Sequence, residues 1–179
     1  MSDGNAASPM RRYANIEGEY RWWLERDWSQ PGTERGAIDL LAFVMLNPST
    51  ADGEVDDATI RRCVGFAKRE GAWRMDVFNL FALRSTDPAA LLTHPDPIGI
   101  ANDELLRSVS QYGGHFKTVV AWGAHKMVTP ERVTILTESA AAAGTTLWCL
   151  GTTKSGAPRH PLYVKADTPL VPWEPTHVG

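Results

Sequence analysis

Polar side chains stand at three points where apolar, strand-length runs of the sequence end. Asn47 closes the run 38–46, and Pro48 after it cannot continue the hydrogen-bond ladder of a sheet. Asn79 lies near the end of a second such run, and His160 follows the loop after a fourth. Because the carboxyl ends of parallel strands open on one edge of a sheet, we expect these three side chains to share one crevice.

The chemistry available to this trio is hydrolysis. The amide oxygen of Asn47 can accept from an attacking water, and His160 can donate a hydrogen bond to a leaving group as negative charge builds on it. Asn79 carries donors and an acceptor, so it can pair with the polar edge of a ligand such as a pyrimidine. Phe81 or Trp122 could stack on a planar ring. Each residue also has a structural interpretation, as a strand stop, loop cap, backbone hydrogen-bond partner or core position.

The elements that must position these residues alternate between strand and helix. Apolar runs predict four core strands, and helical periodicity predicts three main helices between them. The predicted strands are 38–46, 74–81, 117–122 and 145–150, and the predicted helices are 57–70, 100–110 and 130–143. This order predicts an α/β fold, a three-layer sandwich with a central, mostly parallel, four-stranded sheet. Residues 13–28 add an N-terminal strand or hairpin with Tyr20, Trp22 and Leu24 on one face.

Length and composition limit the classes of protein to which this chain can belong. The chain has 179 residues, and we expect residues 1–12 to be a disordered tail and residues 13–179 to form a single α/β domain. It has no apolar run of membrane-spanning length, and residues 1–9 lack the apolar core of a signal peptide, so a cytoplasmic location is expected. The net charge of -3 disfavours nonspecific coating of nucleic acid but allows a local basic face. The absence of a glycine-rich phosphate fingerprint disfavours nucleotide-dependent dehydrogenases and kinases.

Four carboxylates crowd the segment after the first core strand: Asp52, Glu54, Asp56 and Asp57. Carboxylates at this density can bind a divalent cation. A helix cap by Asp57 together with a solvated acidic surface is the favoured interpretation. We therefore expect neither a metal site nor a cofactor.

The loop after the fourth strand combines glycine, proline and cations. Lys154, Ser155 and Arg159 suit contacts with DNA phosphates. Leu162 or Tyr163 could insert as a wedge between the bases of a bound duplex. The alternative is an ordinary solvated surface loop.

Four segments resemble the motifs of the uracil-DNA glycosylase superfamily, in the same order over about residues 38–165. They are Leu46-Asn47-Pro48-Ser49, similar to the first motif; Val77-Phe78-Asn79-Leu80 followed by Arg84 and Pro88; the strand-plus-glycine element from Val119 to His125; and Arg159-His160-Pro161-Leu162, similar to the final His-Pro-Ser motif. More closely, the chain resembles a bacterial and phage family of unknown function marked by LNPSxAD and NLFALRSxxP.

The resemblance implies a monofunctional DNA glycosylase, a monomeric enzyme that flips a base out of DNA and excises it without a cofactor, leaving an abasic site. It implies catalytic roles for Asn47 and His160. The base would be bound by Ser49, Asn79, Phe81 and Trp122, and Arg84 would join the loop residues in contacting DNA. In the mismatch-specific branch of the superfamily, asparagine replaces aspartate at the first position and activates water only weakly.

The segment Ser49-Thr50-Ala51-Asp52 departs from the superfamily pattern, in which an aromatic residue or glycine follows the Asn-Pro motif. A small, polar pocket floor disfavours plain uracil and favours a larger modified pyrimidine, such as hydroxymethyl- or glucosylated cytosine, whose excision would be an anti-phage defence. Two alternatives stay open. One is an enzyme acting on free nucleosides or nucleotides, which the acidic net charge favours, and the other is a module of the same fold that binds a base without cutting.

Overall fold

The computed structural model describes residues 9–34, 36–112 and 115–175. In these ranges seven strands form one sheet. The strands are β1 (Arg11–Glu17), β2 (Tyr20–Asp27), β3 (Leu40–Met45), β4 (Arg74–Asn79), β5 (Phe116–Val120), β6 (Leu147–Cys149) and β7 (Val171–Pro172). Their order across the sheet is β1-β2-β4-β3-β5-β6-β7.

The four predicted core strands form the parallel centre of this sheet, with β4, β3, β5 and β6 side by side. The prediction of a four-stranded central sheet with a separate hairpin is wrong, because all seven strands form one sheet. The N-terminal hairpin adds β1 and β2 antiparallel to β4, and β7 adds an antiparallel edge strand next to β6. Open edges of a parallel core leave backbone groups unpaired, and these flanking strands supply partners for them.

Helices cover both faces of the sheet, as the three-layer prediction requires. Helix α1 (Ala58–Arg69) packs on one face, and helices α2 (Asn102–Val109) and α3 (Pro130–Ala142) pack on the other. Two short 3₁₀ helices span Pro88–Leu92 and Pro161–Tyr163. Successive strand residues alternate between the two cores, so Phe43 packs against α1 whereas Val44 packs against α2 and α3.

Helix α1 forms where local signals predict it. The side chain of Asp57 accepts a hydrogen bond from the Ile60 backbone N–H at 2.8 Å, which caps the first turn. Gly71 has a φ of 85° and stops the helix, because few other residues adopt that conformation without strain. The buried side of the helix carries Ile60, Cys63, Val64, Phe66 and Ala67. The cap and the stop expected from the sequence are both confirmed.

The N-terminal hairpin contains a β-bulge. Asn15 pairs with Trp23, but the next residue, Ile16, pairs with Arg21. Trp22 is therefore an extra residue in β2 without its own partner in β1. A bulge of this kind resets the alternation of side chains along a strand.

The bulge overturns the predicted shared face of Tyr20, Trp22 and Leu24. Tyr20 stacks on Trp22 with ring centroids 5.3 Å apart and packs against the α2/α3 core, whereas Leu24 is buried in the α1 core. Arg21 hydrogen-bonds the carbonyl of Ala51, a residue of the α1 core. The extra residue thus brings Arg21 to the side of the sheet that Leu24 occupies.

The start of the folded region also differs from the expectation. Strand β1 begins at Arg11, two residues before the predicted boundary at residue 13, because Arg11 and Arg12 pair with the end of β2. Residues 1–8 and 176–179, which belong to the predicted tail and the predicted domain, lie outside the described residues. Among the helices of the described ranges, none has the length and apolar character needed to cross a membrane.

Candidate functional site

A cleft of about 600 Å³ opens at the carboxyl ends of the parallel strands, on the side of the sheet that carries α1. It is formed by the end of β3 (residues 45–49), the start of α1 (57–60), the segment after β4 (85–88), the segment after β5 (122–125) and the loop after β6 (153–163). Asn47 and His160 both line it. Its volume lies within the range of about 300–1,000 Å³ that is typical of small-molecule sites.

Asn47 is held by the segment that follows β4. Its Nδ2 donates to the carbonyl of Ser85 at 3.0 Å, and it lies 3.1 Å from the carbonyl of Pro48 and 3.4 Å from that of Leu83. Three carbonyl acceptors around one atom identify it as the nitrogen, so the orientation of the amide is fixed. No described residue donates to Oδ1, which leaves this oxygen available to a ligand or water in the cleft.

His160 faces the cleft from the loop after β6. Its Nδ1 accepts from the backbone N–H of Leu162 at 3.3 Å, which places the proton of the neutral ring on Nε2. Burial lowers the pKa of His160, and the carboxylate of Asp57 opposes this effect without cancelling it. Arg62 of α1 holds the neighbouring backbone through the carbonyls of Pro161 and Val164. His160 is therefore a positioned, neutral Nε2–H donor at neutral pH.

Among the described residues that line the cleft, Asp57 is the only one with a carboxylate. Its Oδ1 is occupied by the cap of α1, while no described residue donates to Oδ2. The sequence predicted the cap but gave Asp57 no place in the site. The other acids of the predicted cluster are committed elsewhere: Asp56 pairs with Arg12 and Arg26, and Asp52 accepts from two backbone N–H groups.

Metal ligation by the acidic segment receives no support from these contacts. In the described ranges no group of three or more His, Cys, Asp or Glu side chains is arranged to hold a metal ion. The turn made by Asp52, the ion pairs of Asp56 and the cap made by Asp57 account for three of the four acids without a cation.

The predicted base-binding residues divide between the cleft and the core. Ser49 and Trp122 line the cleft, and Trp122 also packs edge-on against Trp173 with ring centroids 5.3 Å apart. Phe81 does not reach it: the ring is only 2% exposed, lies in the α2/α3 core and is covered by the guanidinium of Arg132 at 5.7 Å. The expected stacking of a base on Phe81 is therefore wrong.

Asn79 ends β4 but does not line the cleft. Alternation along the strand places it on the α1 face with Met75 and Val77, beside Met45 of β3, which does line the cleft. The side chain is fully buried, and neither its Nδ2 nor its Oδ1 has a hydrogen-bond partner among the described residues. A buried amide without partners costs about 1–3 kcal/mol for each group left unpaired.

The loop after β6 closes on itself. Thr152 pairs with Pro158 in an isolated bridge, and the N–H of Thr153 donates to the carbonyl of Ala157 at 2.8 Å. Lys154 and Arg159 line the cleft, and Arg159 is tied down by its Nε at 3.0 Å from the carbonyl of Thr152. This loop therefore carries two cations at the rim of the cleft on an ordered turn.

The remaining loop residues fall around the rim. Tyr163 lines the cleft and is 80% exposed, while Leu162 is exposed but lies outside it. Ser155 instead lines a second groove, of about 690 Å³, which shares residues 122–125 with the cleft. His125 faces both cavities and, like His160, accepts a backbone N–H at its Nδ1, here from Met127 at 3.3 Å. The segment that resembles the strand-plus-glycine element ends at His125, but no role was predicted for this histidine from the sequence.

Two arginines outside the loop differ from the prediction. Arg84, predicted to contact DNA, is half-buried and lies outside the cleft lining. Arg21, which no motif marked, is 1% exposed and lines the cleft. Only the bulge in β2 brings Arg21 to this side of the sheet, so counting alternate residues could not have found it.

A family model described as "Protein of unknown function (DUF1643)" matches residues 21–162. The chain belongs to the DUF1643 family. The part of this DUF1643 protein that the family model matches runs from Arg21 to Leu162. It contains every described residue of the cleft except Tyr163. No curated protein and no solved structure matches this DUF1643 chain.

Proposed function

We propose that this DUF1643 protein is a cytoplasmic, monomeric DNA glycosylase of the uracil-DNA glycosylase type. In this proposal it flips a modified or damaged base out of DNA and hydrolyses the bond between C1′ and the base nitrogen, leaving an abasic site. The observation that carries it is the placement of the open Oδ1 of Asn47 and the Nε2–H donor of His160 in one cleft. The first suits the attacking water, and the second suits the departing base.

The proposed hydrolysis assigns one role to each of three residues of the cleft. Asn47 cannot hold a proton, so it orients the water that adds to C1′ as the bond to the base breaks. His160 donates a hydrogen bond to a base oxygen on which negative charge grows. Asp57 is the carboxylate in reach of the cleft and takes the proton that the water loses. Protonation of the base then completes the reaction, with a free base and an abasic sugar as the products.

The walls of the cleft support a base that carries hydroxyl groups. Apolar surface from Met45, Ile60, Pro88 and Trp122 can pack against a ring. Five serine and threonine side chains also line the cleft: Ser49, Thr59, Ser85, Thr86 and Thr153. Hydroxyls both donate and accept, which suits a hydroxymethyl- or glucosyl-substituted pyrimidine better than plain uracil. Excision of such a base from a phage genome would be a defence reaction.

The strand arrangement is compatible with the resemblance of the four sequence segments to the uracil-DNA glycosylase superfamily. The first, second and third segments follow or end β3, β4 and β5, and the fourth follows the loop after β6. The rim cations Lys154 and Arg159 would meet phosphates on either side of the flipped nucleotide. Tyr163, which is exposed at the rim, would fill the gap that the flipped nucleotide leaves in the duplex.

The test is base release from a panel of DNA substrates, followed by alkaline strand scission. The panel contains uracil, mismatched thymine, hypoxanthine, 5-hydroxymethyl pyrimidines and glucosylated phage DNA. Scission by the wild-type protein that is lost in Asn47→Ala and in His160→Ala is the expected result. Arg107→Gln, in the exposed last turn of α2, is the matched control and retains activity.

Two outcomes would contradict the glycosylase proposal. Scission that persists in both Asn47→Ala and His160→Ala would remove these residues from the chemistry. Absence of scission on every substrate would favour the alternatives. Binding of DNA with all bases intact would then indicate a base-binding module, and turnover of free nucleotides would indicate a nucleotide-processing enzyme.

A further inference from the structure

Arg21 places a buried positive charge in the floor of the cleft. Its side chain donates from Nη1 to the carbonyl of Ala51 at 2.8 Å. Its Nε is buried and has no hydrogen-bond partner, and no carboxylate of the described residues lies within 4.0 Å of the guanidinium. Nη2 also lacks a hydrogen-bond partner, but unlike Nε it is not buried. The small exposed part of Arg21 therefore includes Nη2, and it faces the cleft that Arg21 lines.

Arg26 shows how the same strand satisfies a buried guanidinium when its role is structural. Arg26 is fully buried, pairs with Asp56 at 2.7 Å and donates to the carbonyls of Tyr13, Glu25 and Asp52. Arg21 makes one such hydrogen bond. Buried charges in proteins are paired or hydrogen-bonded as a rule, so the open donors of Arg21 require an acceptor from outside the chain.

The neighbouring charges do not neutralise Arg21. Asp52 uses Oδ1 for the N–H groups of Glu54 and Val55, and Asp57 uses Oδ1 to cap α1. Arg84 lies near Arg21 and repels it; its own Nε is buried, and its side chain has no hydrogen-bond partner among the described residues. Arg21 in the cleft and Arg84 outside its lining therefore both carry guanidinium donors without partners among the described residues.

Arg21 remains charged at neutral pH. Burial lowers the pKa of Arg21 to about 10, with repulsion by Arg84 and Arg26 adding to the decrease and the carboxylates of Asp57 and Asp52 opposing it. The protonated form therefore dominates at pH 7, and the cleft floor presents a cation rather than a neutral donor.

We propose that Arg21 binds an anionic group, a phosphate or a carboxylate, on the ligand that occupies the cleft. The proposal deepens the proposed function and rests on it only for the identity of the ligand as a nucleotide. Nη2 of the guanidinium is the donor that is open to the cleft, and a charged hydrogen bond from it to an anionic oxygen would supply a partner that the described residues do not. The anion can be the phosphate of the bound nucleotide or a carboxylate on a modified base, and the two sources are separable by experiment.

The first test compares charged and neutral probes by calorimetry on the full-length protein. Deoxycytidine 5′-monophosphate is compared with deoxycytidine, and duplex DNA containing 5-carboxycytosine is compared with the same duplex containing 5-methylcytosine. A charged hydrogen bond to Arg21 predicts binding of one charged probe that is about tenfold tighter than that of its neutral partner. Equal binding within both pairs would overturn the proposal.

Substitution of Arg21 supplies the second test. Arg21→Met removes the charge at similar length, and we expect it to abolish the preference for the charged probe while Arg107→Met, on the exposed end of α2, leaves it unchanged. The ligand-free Tm of Arg21→Met should fall less than that of Arg26→Met. Arg21 loses one hydrogen bond, to the Ala51 carbonyl, whereas Arg26 loses an ion pair with Asp56 and hydrogen bonds to three carbonyls. A preference that survives in Arg21→Met would contradict the proposal.

A third measurement does not depend on any variant folding. Arginine Nε–H resonances of the wild-type protein are followed by NMR during titration with inorganic phosphate and with deoxycytidine 5′-monophosphate. The Arg21 resonance should shift and reach saturation. If it shifts with neither probe, Arg21 does not bind the anion. Because binding is measured without turnover, loss of base release with intact anion binding would refute only the glycosylase proposal.

Discussion

The side-chain nitrogen of Asn47 donates to the backbone carbonyl of Ser85 at 3.0 Å, across 38 positions of sequence. This hydrogen bond ties the end of β3 to the segment that follows β4, and both segments line the cleft. It also fixes which end of the amide faces inward. The catalytic geometry proposed for Asn47 thus depends on a carbonyl that belongs to a neighbouring strand connection.

Asn47→Asp should be a damaging substitution although it preserves shape. The carboxylate would face the carbonyls of Ser85, Pro48 and Leu83, which need a donor. We expect a loss of about 1–3 kcal/mol in the free energy of unfolding, measured by urea denaturation at pH 7.5. An unchanged midpoint would show that the three carbonyls do not control the orientation of this side chain.

The stability of the protein should fall in mild acid because of His160. Burial lowers its pKa in the folded state, so below the ordinary value of about 6.5 the unfolded chain binds a proton that the folded chain does not. This contribution is fully present above about pH 6.5, is lost as the pH falls toward the lowered pKa, and then levels off. Urea denaturation of the wild type and of His160→Gln between pH 7.5 and 5 should show a smaller decrease in the variant. Equal decreases in the free energy of unfolding of the two proteins would show that the pKa of His160 is not lowered in the folded state.

Base release should follow the neutral form of the same histidine. Because Nδ1 accepts from the Leu162 N–H, the neutral ring already carries its proton on Nε2. We expect kcat/KM to be flat between pH 7 and 8 and to decline only below the ordinary histidine range. An activity that rises steadily as the pH drops from 8 to 6 would indicate that the imidazolium form is required.

Asp57→Ser separates the helix cap from the charge. Serine caps helices about as well as aspartate, so the free energy of unfolding should change by less than about 0.5 kcal/mol. The variant loses the carboxylate that raises the pKa of His160, and an NMR titration should therefore show that pKa falling further. Base release should decrease if Asp57 accepts the proton of the water. Full activity in a stable Asp57→Ser protein would exclude that role.

Lys154→Gln should weaken DNA binding without sequence preference. Lys154 is exposed at the rim and makes no ion pair with any described residue, so it is free to contact a phosphate. Removal of one phosphate contact should reduce the slope of log K against log salt by about 0.9. Lys165→Gln, on an exposed position outside the cleft lining, is the control. If the salt slope of Lys154→Gln equals that of the wild type, Lys154 does not contact a DNA phosphate.

Features that arise from neighbours in sequence were predictable. Asp57 and Gly71 bound α1 because a cap and a glycine stop act within one turn of the helix. The four parallel strands followed from apolar runs of strand length, and the strand end at Asn47-Pro48 followed from the missing N–H of proline. Asn47 and His160 then share a cleft because parallel strands open on a common edge.

Positions that depend on pairing between distant segments were not predictable. Asn79 ends β4 and Phe81 follows it, but Asn79 is enclosed on the α1 face beside Met45 of β3, and Phe81 is enclosed in the α2/α3 core. The hairpin was expected from its alternating pattern, but its pairing with β4 and the pairing of the C-terminal segment with β6 depend on contacts between distant segments.

The sequence by itself determined the α/β alternation, the capped helix and the polar strand ends, since each rests on the conformational preferences of a few adjacent residues. The tertiary structure alone decided that Arg21 belongs to the cleft. Its direction depends on one extra residue, Trp22, opposite β1, and a single-residue shift of register turns a strand side chain to the other face of the sheet.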